Sequence, residues 1–329
     1  MSQRPPIVCL GAGRMARGIA VVFAYAGHRV AIVDVKARDD DGYAKAAAEA
    51  IGEVRATLAT LAGFGLFAPD AVDGIADRVS VFREADAQDA LRDAAVIFEG
   101  VPEVPDLKRE VFARISRITG PEPIIASTTS TILVDDLSSA VEHPERFLNA
   151  HWLNPAFLIP LVELSPGAGT DPAVTARLKS LLEGIGKVPV VCAARPGYIV
   201  PRIQALAMNE AARMVEEGVA SAEDIDKAIK YGFGIRYANL GMLEFIDYGG
   251  GDILYYASRY LSQALGDQRY AAPEIIARNM REGNIGLKTG KGFLDYSKLD
   301  IESYRAGRLK ALADMLGYMG LFRPPVLPE

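Results

Sequence analysis

A histidine and a glutamate, His151 and Glu163, stand twelve residues apart in the segment FLNAHWLNPAFLIPLVELS, residues 147–165. Each lies in a short apolar run with the composition of a buried strand, and Asn154-Pro155 between the runs indicates a turn or loop. A hairpin-like or crossover return would bring both side chains to one place. A carboxylate beside an imidazole fixes the tautomer of the ring and supports the imidazolium that forms when the other nitrogen takes a proton. The pair therefore predicts general-base chemistry, with a buried structural histidine and a solvated glutamate as the alternative.

A glycine-rich turn near the start of the chain predicts a dinucleotide site. The run from Ile7 to Leu10 reads as a strand, GAGRMARG follows, and the apolar stretch from Ile19 to Tyr25 has helical character. Gly11 would make the tight turn and Gly13 would let a diphosphate approach the backbone, while an alanine replaces the third glycine of the fingerprint. The diphosphate would bind N–H groups at the helix start, where the helix dipole favours negative charge. The predicted contacts in this segment are Gly11, Gly13, Arg14 and Met15.

An acidic residue ends the second predicted strand. This strand runs from His28 to Val33 and is followed by Asp34, about twenty residues beyond the glycines. A carboxylate there can accept hydrogen bonds from the 2′- and 3′-hydroxyls of the cofactor ribose. It would also repel a 2′-phosphate, so the predicted cofactor is NAD rather than NADP. Two nearby cations, Lys36 and Arg38, weaken this preference slightly.

Composition and charge narrow the class of protein. The 329 residues suffice for two domains, and the net charge of −6 gives no polybasic surface, so neither nucleic acid nor an anionic membrane is an expected partner. No apolar run reaches about 18 residues and no signal peptide opens the chain, so we expect a cytoplasmic protein. With two cysteines and three histidines we expect no disulfide framework and no metal site. His28 and His143 occur in turn contexts and are expected to be solvated.

Helical and strand-like segments alternate after Asp34, as in a doubly wound parallel sheet. The predicted strands are 79–82, 95–98, 124–126 and 188–192, and the predicted helices are 44–62, 106–118, 199–218 and 222–231. Ligands of such sheets bind beyond the carboxyl ends of the strands, where Asp34, Glu99, Ser130 and His151 fall. The strand pattern stops after Arg195-Pro196-Gly197.

The predicted fold class is therefore α/β, an N-terminal Rossmann doubly wound sheet followed by an all-α domain. We place an NAD-binding domain over residues 1–194. A helical domain for substrate binding and dimerisation is placed over residues 195–329.

Six segments in order resemble the L-3-hydroxyacyl-CoA dehydrogenase superfamily, which includes 3-hydroxybutyryl-CoA dehydrogenase and relatives acting on gulonate and carnitine. They are GAGRMARGIA, IFEGVPEVPDLKREVF, ASTTST, AHWLNPAFLIPLVEL, ARPGYIVPR and GLKTGKGFLDY. They are similar, respectively, to the opening fingerprint, a segment with two glutamates and a lysine, the substrate-serine strand, the histidine–glutamate motif, the domain junction and a C-terminal glycine motif. The resemblance covers nearly the whole chain and implies an NAD-dependent dehydrogenase acting on a small-molecule substrate. It also implies a homodimer formed through the C-terminal helices.

The resemblance assigns roles to individual residues. His151 would be the general base for the substrate hydroxyl, Glu163 would orient it, and Ser130 would hydrogen-bond the reacting oxygen. Glu103 and Lys108 would lie near the nicotinamide ribose. The alternatives are a serine that caps a turn and a glutamate–lysine pair at the surface. The further predicted cofactor contacts are Glu99, Ser130 and Asn154, and the further predicted substrate contacts are Trp152 as a pocket wall and Arg236.

Departures from the family pattern leave the substrate open. Pro201 stands where acyl-CoA enzymes usually have asparagine, Thr128 where asparagine is common, and Met242 where proline is common. No lysine occurs between Lys45 and Lys108, which is sparse for the phosphates of CoA. Arg236 could instead pair with the carboxylate of a small free acid, or be a surface residue. The predicted substrate is therefore a 3-hydroxyacyl-CoA or a free 3-hydroxy acid. A catalytically silent NAD-binding protein is the alternative from another class.

Overall fold

The computed structural model describes residues 4–323 and 325–326. The chain divides into two compact units, one up to Ala207 and the other from Met208. The boundary predicted between residues 194 and 195 stays a prediction. The proline-rich segment 323–329 predicts an irregular tail, and residues 324 and 327–329 of it lie outside the described residues.

An eight-stranded sheet forms the centre of the first unit, within the described residues. Its strands are β1 (Ile7–Leu10), β2 (Val30–Asp34), β3 (Val79–Arg83), β4 (Val96–Glu99), β5 (Ile124–Ser127), β6 (Phe147–Trp152), β7 (Leu161–Pro166) and β8 (Val188–Val191). The order across the sheet is β3-β2-β1-β4-β5-β6-β7-β8. Every neighbouring pair is parallel except β6 and β7, which are antiparallel. The predicted doubly wound α/β fold is confirmed.

Helices cover both faces of this sheet because both faces are apolar. The helices of the first unit are α1 (Arg14–Tyr25), α2 (Asp40–Gly63), α3 (Ala71–Ala76), α4 (Gln88–Asp93), α5 (Pro105–Thr119), α6 (Val134–Ser138) and α7 (Pro172–Gly184). One core lies beneath α1, α2 and α7, and the other lies beneath α4, α5 and α6. The sequence patterns did not predict four of these helices: α3, α4, α6 and α7.

His28, expected to be solvated, is 2% exposed. Its Nδ1 lies 2.8 Å from the carbonyl oxygen of Pro5, and its ring contacts Phe23 edge-on. That prediction was wrong because the turn folds back onto α1, and burial lowers the pKa of the His28 imidazole.

The second unit is helical in its described residues. α8 (Val200–Glu216) continues into it from the first unit, and its own helices are α9 (Ala222–Ala228), α10 (Ile235–Asn239), α11 (Met242–Gly249), α12 (Gly251–Ala264), α13 (Glu274–Glu282) and α14 (Ile301–Tyr318). The helix predicted over 222–231 changes at Ile229 into one wide π turn, Ile229–Gly234. No helix among the described residues is both long enough and apolar enough to cross a membrane.

A buried aspartate explains the C-terminal glycine motif. The carboxylate of Asp247 accepts the backbone N–H groups of Phe293 at 2.9 Å and Leu294 at 2.8 Å, and the hydroxyl of Tyr296 at 3.2 Å. A Cβ on Gly292 would come within 2.0 Å of Asp247 Oδ1. This glycine is therefore required by a close approach between the loop and α11, which is a structural role.

Candidate active site

His151 and Glu163 face each other across the one antiparallel pair of the sheet. β6 pairs with β7 so that these two residues are directly opposite, and His151 Nδ1 lies 2.8 Å from Glu163 Oε2. Glu163 is 0% exposed and His151 is 6% exposed. The alternative interpretation, in which the glutamate is solvated, is therefore wrong. The two side chains are paired as the sequence predicts.

The second oxygen of Glu163 binds the start of α8. Oε1 accepts the backbone N–H groups of Ile199 and Val200, each at 2.9 Å. An ionised carboxylate only accepts hydrogen bonds, so the imidazole must donate its Nδ1 proton to Oε2. Nε2 of the neutral His151 ring is then the nitrogen that can accept a proton.

A tyrosine that the sequence analysis did not single out lies flat against His151. The rings of Tyr198 and His151 are stacked, with centroids 5.1 Å apart and planes 2° from parallel. The Tyr198 hydroxyl donates to the carbonyl oxygen of Thr129 and accepts from Asn149 Nδ2, both at 3.0 Å. Burial raises the pKa of this phenol well above its ordinary value, so it remains a donor at neutral pH.

A buried lysine of α5 contacts two glutamates, one at the end of β4 and the other in the loop that follows it. Lys108, 1% exposed, donates from Nζ to Glu99 Oε1 at 2.8 Å and lies 3.4 Å from Glu103 Oε2. Glu99, itself 0% exposed, also accepts the Ser127 hydroxyl at 2.6 Å. Lys108 is paired within the fold as a buried charge must be, whereas the Glu103 side chain is 39% exposed. The interpretation of a surface pair is therefore wrong for the lysine, and the glutamate alone lies at the surface.

Glu103 holds the loop that presents Ser130. Its Oε1 accepts the backbone N–H groups of Ser130 at 3.0 Å and Thr131 at 3.1 Å, the Thr131 hydroxyl at 2.9 Å, and the Thr129 hydroxyl. Burial acts to raise the pKa of Glu103, but these hydrogen bonds and the Lys108 charge outweigh it and hold the pKa below its ordinary value. Ser130 itself is exposed. The loop is thus rigidly held with the Ser130 side chain open to a ligand.

The glycine turn fits a diphosphate. Gly11 has φ +87°, and a Cβ there would lie 3.3 Å from the carbonyl oxygen of Gly100. α1 begins at Arg14 with Gly13 as its N-cap, no side chain caps it, and its first turn carries no acidic residue. The backbone N–H groups of its first turn, Arg14 to Ala16, therefore donate to no acceptor among the described residues, as an anion site at a helix N-terminus requires.

Asp34 lies at the carboxyl end of β2, 4% exposed. Its Oδ2 accepts from Arg38 Nε at 2.6 Å, and its Oδ1 accepts from the backbone N–H of Lys36 at 3.3 Å. Each carboxylate oxygen has further acceptor capacity for a ribose hydroxyl. A cleft beside Asp34 is lined by apolar side chains, Val35 and Leu107 among them, and by charged ones that include Arg83 and Arg114.

Family models match most of the chain. Residues 6–195 match the model described as 3-hydroxyacyl-CoA dehydrogenase, NAD binding domain, and residues 197–296 match the model described as 3-hydroxyacyl-CoA dehydrogenase, C-terminal domain. The chain belongs to the 3-hydroxyacyl-CoA dehydrogenase family. It is an NAD-dependent oxidoreductase that acts on a CH–OH group, so the predicted cofactor and enzyme class are confirmed.

Relatives within this family differ in the substrates they are named for. A 3-hydroxybutyryl-CoA dehydrogenase of Bradyrhizobium diazoefficiens is 33% identical over 288 residues, covering 87% of this chain and 94% of the relative. A 5-formyl-3-hydroxy-2-methylpyridine 4-carboxylate 5-dehydrogenase of Mesorhizobium japonicum is 30% identical over 308 residues, covering 93% of this chain and 95% of the relative. The solved structure of a 3-hydroxyacyl-CoA dehydrogenase from Archaeoglobus fulgidus is 31% identical with a TM-score of 0.76, covering 97% of this chain and 100% of that one.

Trp152, which was predicted to be a wall of the substrate pocket, lies in the core instead. Adjacent residues of a strand point to opposite faces, so Trp152 lies on the other face of β6 from His151. It is 2% exposed and packs in the core, with ring centroids 5.6 Å from Phe98 and 6.3 Å from Phe23. The prediction is corrected: Trp152 is a core residue.

Asn154 and Arg236 are both exposed. Asn154 follows β6 and lines a cleft with Arg14 and Arg17 of α1. The loop after it is anchored by buried Lys187, whose Nζ donates to the carbonyl oxygens of Ala156 at 2.6 Å and Ile159 at 2.8 Å. Asn154 stays a predicted cofactor contact beside the N-terminal turn of α1.

Arg236 lies in the second unit, at the start of α10. Its Nε donates to the carbonyl oxygen of Gly232 at 2.7 Å, and its Cζ lies 5.1 Å from the centroid of the Phe245 ring. The role of Arg236 toward a substrate carboxylate stays a prediction.

We expect Asp34→Ala to reduce kcat/KM for NAD about tenfold and to raise it for NADP. The substitution removes a charge-assisted hydrogen bond, worth about 1.5–3 kcal/mol, and frees Arg38 to pair with a 2′-phosphate. Initial rates with both cofactors measure the change. In the double variant Asp34→Ala with Arg38→Ala the gain with NADP should disappear. Equal efficiency of the wild-type protein with NAD and NADP would show that Asp34 does not select the cofactor.

Proposed function

We propose that the chain oxidises the secondary alcohol at the 3-position of a small carboxylic acid with NAD, or reduces the corresponding ketone, with His151 as general base. One observation carries the proposal. Glu163 binds Nδ1 of His151 at 2.8 Å and the first amides of α8 with its other oxygen. A base held in this way presents Nε2 as its proton acceptor and is supported by a negative charge when it becomes imidazolium.

The proposed reaction moves a proton and a hydride from the alcohol. The hydroxyl proton of the substrate passes to His151 Nε2, and the Ser130 hydroxyl hydrogen-bonds the oxygen as it becomes a carbonyl. NAD, when bound, would supply the acceptor for the hydride that leaves the alcohol carbon. Glu163 balances the positive charge of the imidazolium, so the proton transfer creates no unpaired charge in a buried place.

The proposed cofactor site uses the first unit alone. The N–H groups at the start of α1, following Gly11 and Gly13, would bind the diphosphate, and Asp34 would bind the adenosine ribose. Arg14, Met15 and Asn154 complete the proposed diphosphate side. The proposed nicotinamide side of the site consists of Glu99, Glu103, Lys108 and Ser130. Within it Glu103 binds the backbone of the Ser130 loop and Lys108 lies beside Glu103, which supports a role for both in holding that loop.

The charges near α2 favour a free hydroxy acid over a CoA thioester. α2 carries four acidic and two basic side chains, a net charge of −2. Arg55 lies 3.3 Å from Asp77, Arg83 lies 2.7 Å from Asp40, and Arg17 pairs with Glu53. Phosphates of CoA would have to displace these carboxylates, which disfavours their binding on this surface.

An acyl-CoA substrate is the second candidate. It is favoured by the Archaeoglobus fulgidus 3-hydroxyacyl-CoA dehydrogenase structure and by the relative named 3-hydroxybutyryl-CoA dehydrogenase. The relative named for a pyridine carboxylate supports a free carboxylic acid, rather than a CoA thioester, as the kind of substrate. A rate panel of NAD reduction with 3-hydroxybutyryl-CoA, free 3-hydroxybutyrate, gulonate and carnitine separates the two. Turnover of any of them excludes a catalytically silent protein.

His151→Gln should retain NAD binding and lose roughly two to four orders of magnitude in kcat, the usual contribution of a general base. Glu163→Gln should lose less because it removes only the orienting charge. His143→Gln is the matched control, since His143 Nδ1 also lies near a carboxylate, 3.3 Å from Glu145 Oε1, and should keep the wild-type rate. A His151→Gln variant with wild-type turnover would contradict the assigned mechanism.

For a free acid we expect Arg236→Ala to raise KM on the order of tenfold or more, because one charge-assisted hydrogen bond is worth about 1.5–3 kcal/mol. Arg259→Ala, which removes another exposed arginine over an aromatic ring, should leave KM unchanged. Activity with a free acid should also depend only weakly on salt. Binding of CoA phosphates would instead require several surface ion pairs, which salt screens strongly. Strong activity with 3-hydroxybutyryl-CoA and none with any free acid would favour the second candidate.

We also propose a homodimer formed through the C-terminal helices. On α12 three large side chains recur on one face and are 61–70% exposed: Ile253, Tyr256 and Tyr260. Burying such a stripe against its symmetry mate would remove apolar surface from water. Sedimentation velocity at micromolar concentration should show a dimer, and Tyr256→Asp with Tyr260→Asp should show a monomer. The control Tyr318→Asp, on α14, should remain dimeric. A wild-type monomer would refute the proposal.

A further inference from the structure

Tyr198 is held in a backbone conformation that a bulky side chain rarely adopts. Its φ is +44°, the one positive value at a non-glycine position among the described residues. Such a conformation persists only where the surroundings determine it, and it often marks a functional site. The Tyr198 ring is 8% exposed, so the surroundings of the side chain are the protein itself.

Two sets of contacts determine this conformation. The ring stacks on His151 in parallel planes, and the hydroxyl bridges Asn149 of β6 and the carbonyl oxygen of Thr129. Asn149 Nδ2 also donates to the carbonyl oxygen of Ile132 at 2.9 Å. Tyr198 and Asn149 together thus join the strand that carries His151 to both ends of the loop that carries Ser130.

The face of a phenol ring is electron-rich. A cation over that face is attracted to it, and the attraction is larger where water is excluded, as it is around buried His151. The neutral imidazole lacks this attraction. A stacked tyrosine therefore favours the imidazolium that forms during the reaction over the imidazole that precedes it, which is differential stabilisation of the kind that raises kcat.

We propose that Tyr198 is a positioning residue that fixes the ring plane of His151, supports its positive charge, and ties the base to the Ser130 loop. The proposal rests on the proposed role of His151 as general base. Its two parts are separable, because the aromatic ring acts on His151 and the hydroxyl acts on the loop. Each part predicts a different kinetic effect.

Tyr198→Phe and Tyr198→Leu separate the ring from the hydroxyl, with 3-hydroxybutyrate and 3-hydroxybutyryl-CoA as substrates. Tyr198→Phe keeps the stack and should hold kcat within about threefold while KM rises about fivefold, since one neutral hydrogen bond to the loop is lost. Tyr198→Leu should also lower kcat about tenfold or more, which corresponds to about 1.4 kcal/mol. Tyr296→Phe removes another buried tyrosine hydroxyl, one that contacts Asp247, and should change neither constant.

Proton NMR of the imidazole ring supplies a readout that needs no turnover. The chain has three histidines, so His151→Gln assigns the His151 signals directly. The stacked phenol shields the ring protons of His151, so Tyr198→Leu should move them downfield, whereas Tyr198→Phe should leave them near their wild-type positions. The signals of His143 should not move in either variant.

The outcomes separate this proposal from the proposed function. If His151→Gln keeps full turnover, the general-base role fails while the NMR result still reports on the stack. If His151→Gln loses turnover but Tyr198→Leu keeps the wild-type kcat and KM, the positioning role is overturned. If Tyr198→Leu does not fold, Tyr198→Phe decides: a raised KM with unmoved His151 signals supports the proposal, and an unchanged KM overturns it.

Discussion

The carboxylate of Glu163 is the interaction on which the rest of the site depends. It is fully buried, and its oxygens serve His151 on one side and the first amides of α8 on the other. Burying a carboxylate is costly unless such partners are supplied, so the stability of Glu163 depends on His151 and on the start of the helix. The single reversal of strand direction, between β6 and β7, is what sets Glu163 opposite His151.

A second buried charge organises the other half of the site. Lys108 neutralises Glu99 and lies near Glu103, and Glu103 in turn holds the backbone of the Ser130 loop. The hydrogen bonds that hold this loop are charge-assisted and are therefore stronger than those between neutral groups. Tyr198 then joins this half to the half that contains His151. The base and the serine that are proposed to act on one oxygen are thus held by a continuous set of contacts.

Sequence reasoning found the features that have local signatures. The glycine turn, Asp34 and the His151–Glu163 pair each follow from residue type and spacing, and the structure brings the last two residues into contact. The exact register of β6 and β7 depends on the loop between them, so the sequence alone could not show that the two residues are directly opposite. The unpredicted helix α7 had a usable signal, since Asp171 caps it and Pro172 is its first residue.

Other features depend on contacts between distant segments and have no local signature. Trp152 was misassigned because it adjoins His151 in sequence, although the alternation of a strand already places it on the other face. Tyr198 contacts Asn149 and Thr129 over separations of 49 and 69 residues, which no pattern in its own segment indicates. His28 was expected to be exposed because of its turn context, but the Pro5 carbonyl lies beside it only in the folded chain.

The most direct test of this account is the protonation of the two His151 ring nitrogens, read from their ¹⁵N chemical shifts in a histidine-labelled sample bound to NAD. If Glu163 fixes the ring as described, the neutral imidazole carries its proton on Nδ1 and leaves Nε2 bare at the pH of turnover. A neutral ring with the proton on Nε2 and none on Nδ1 would contradict the account. In that tautomer Nε2 has no lone pair with which to accept the proton of the substrate hydroxyl.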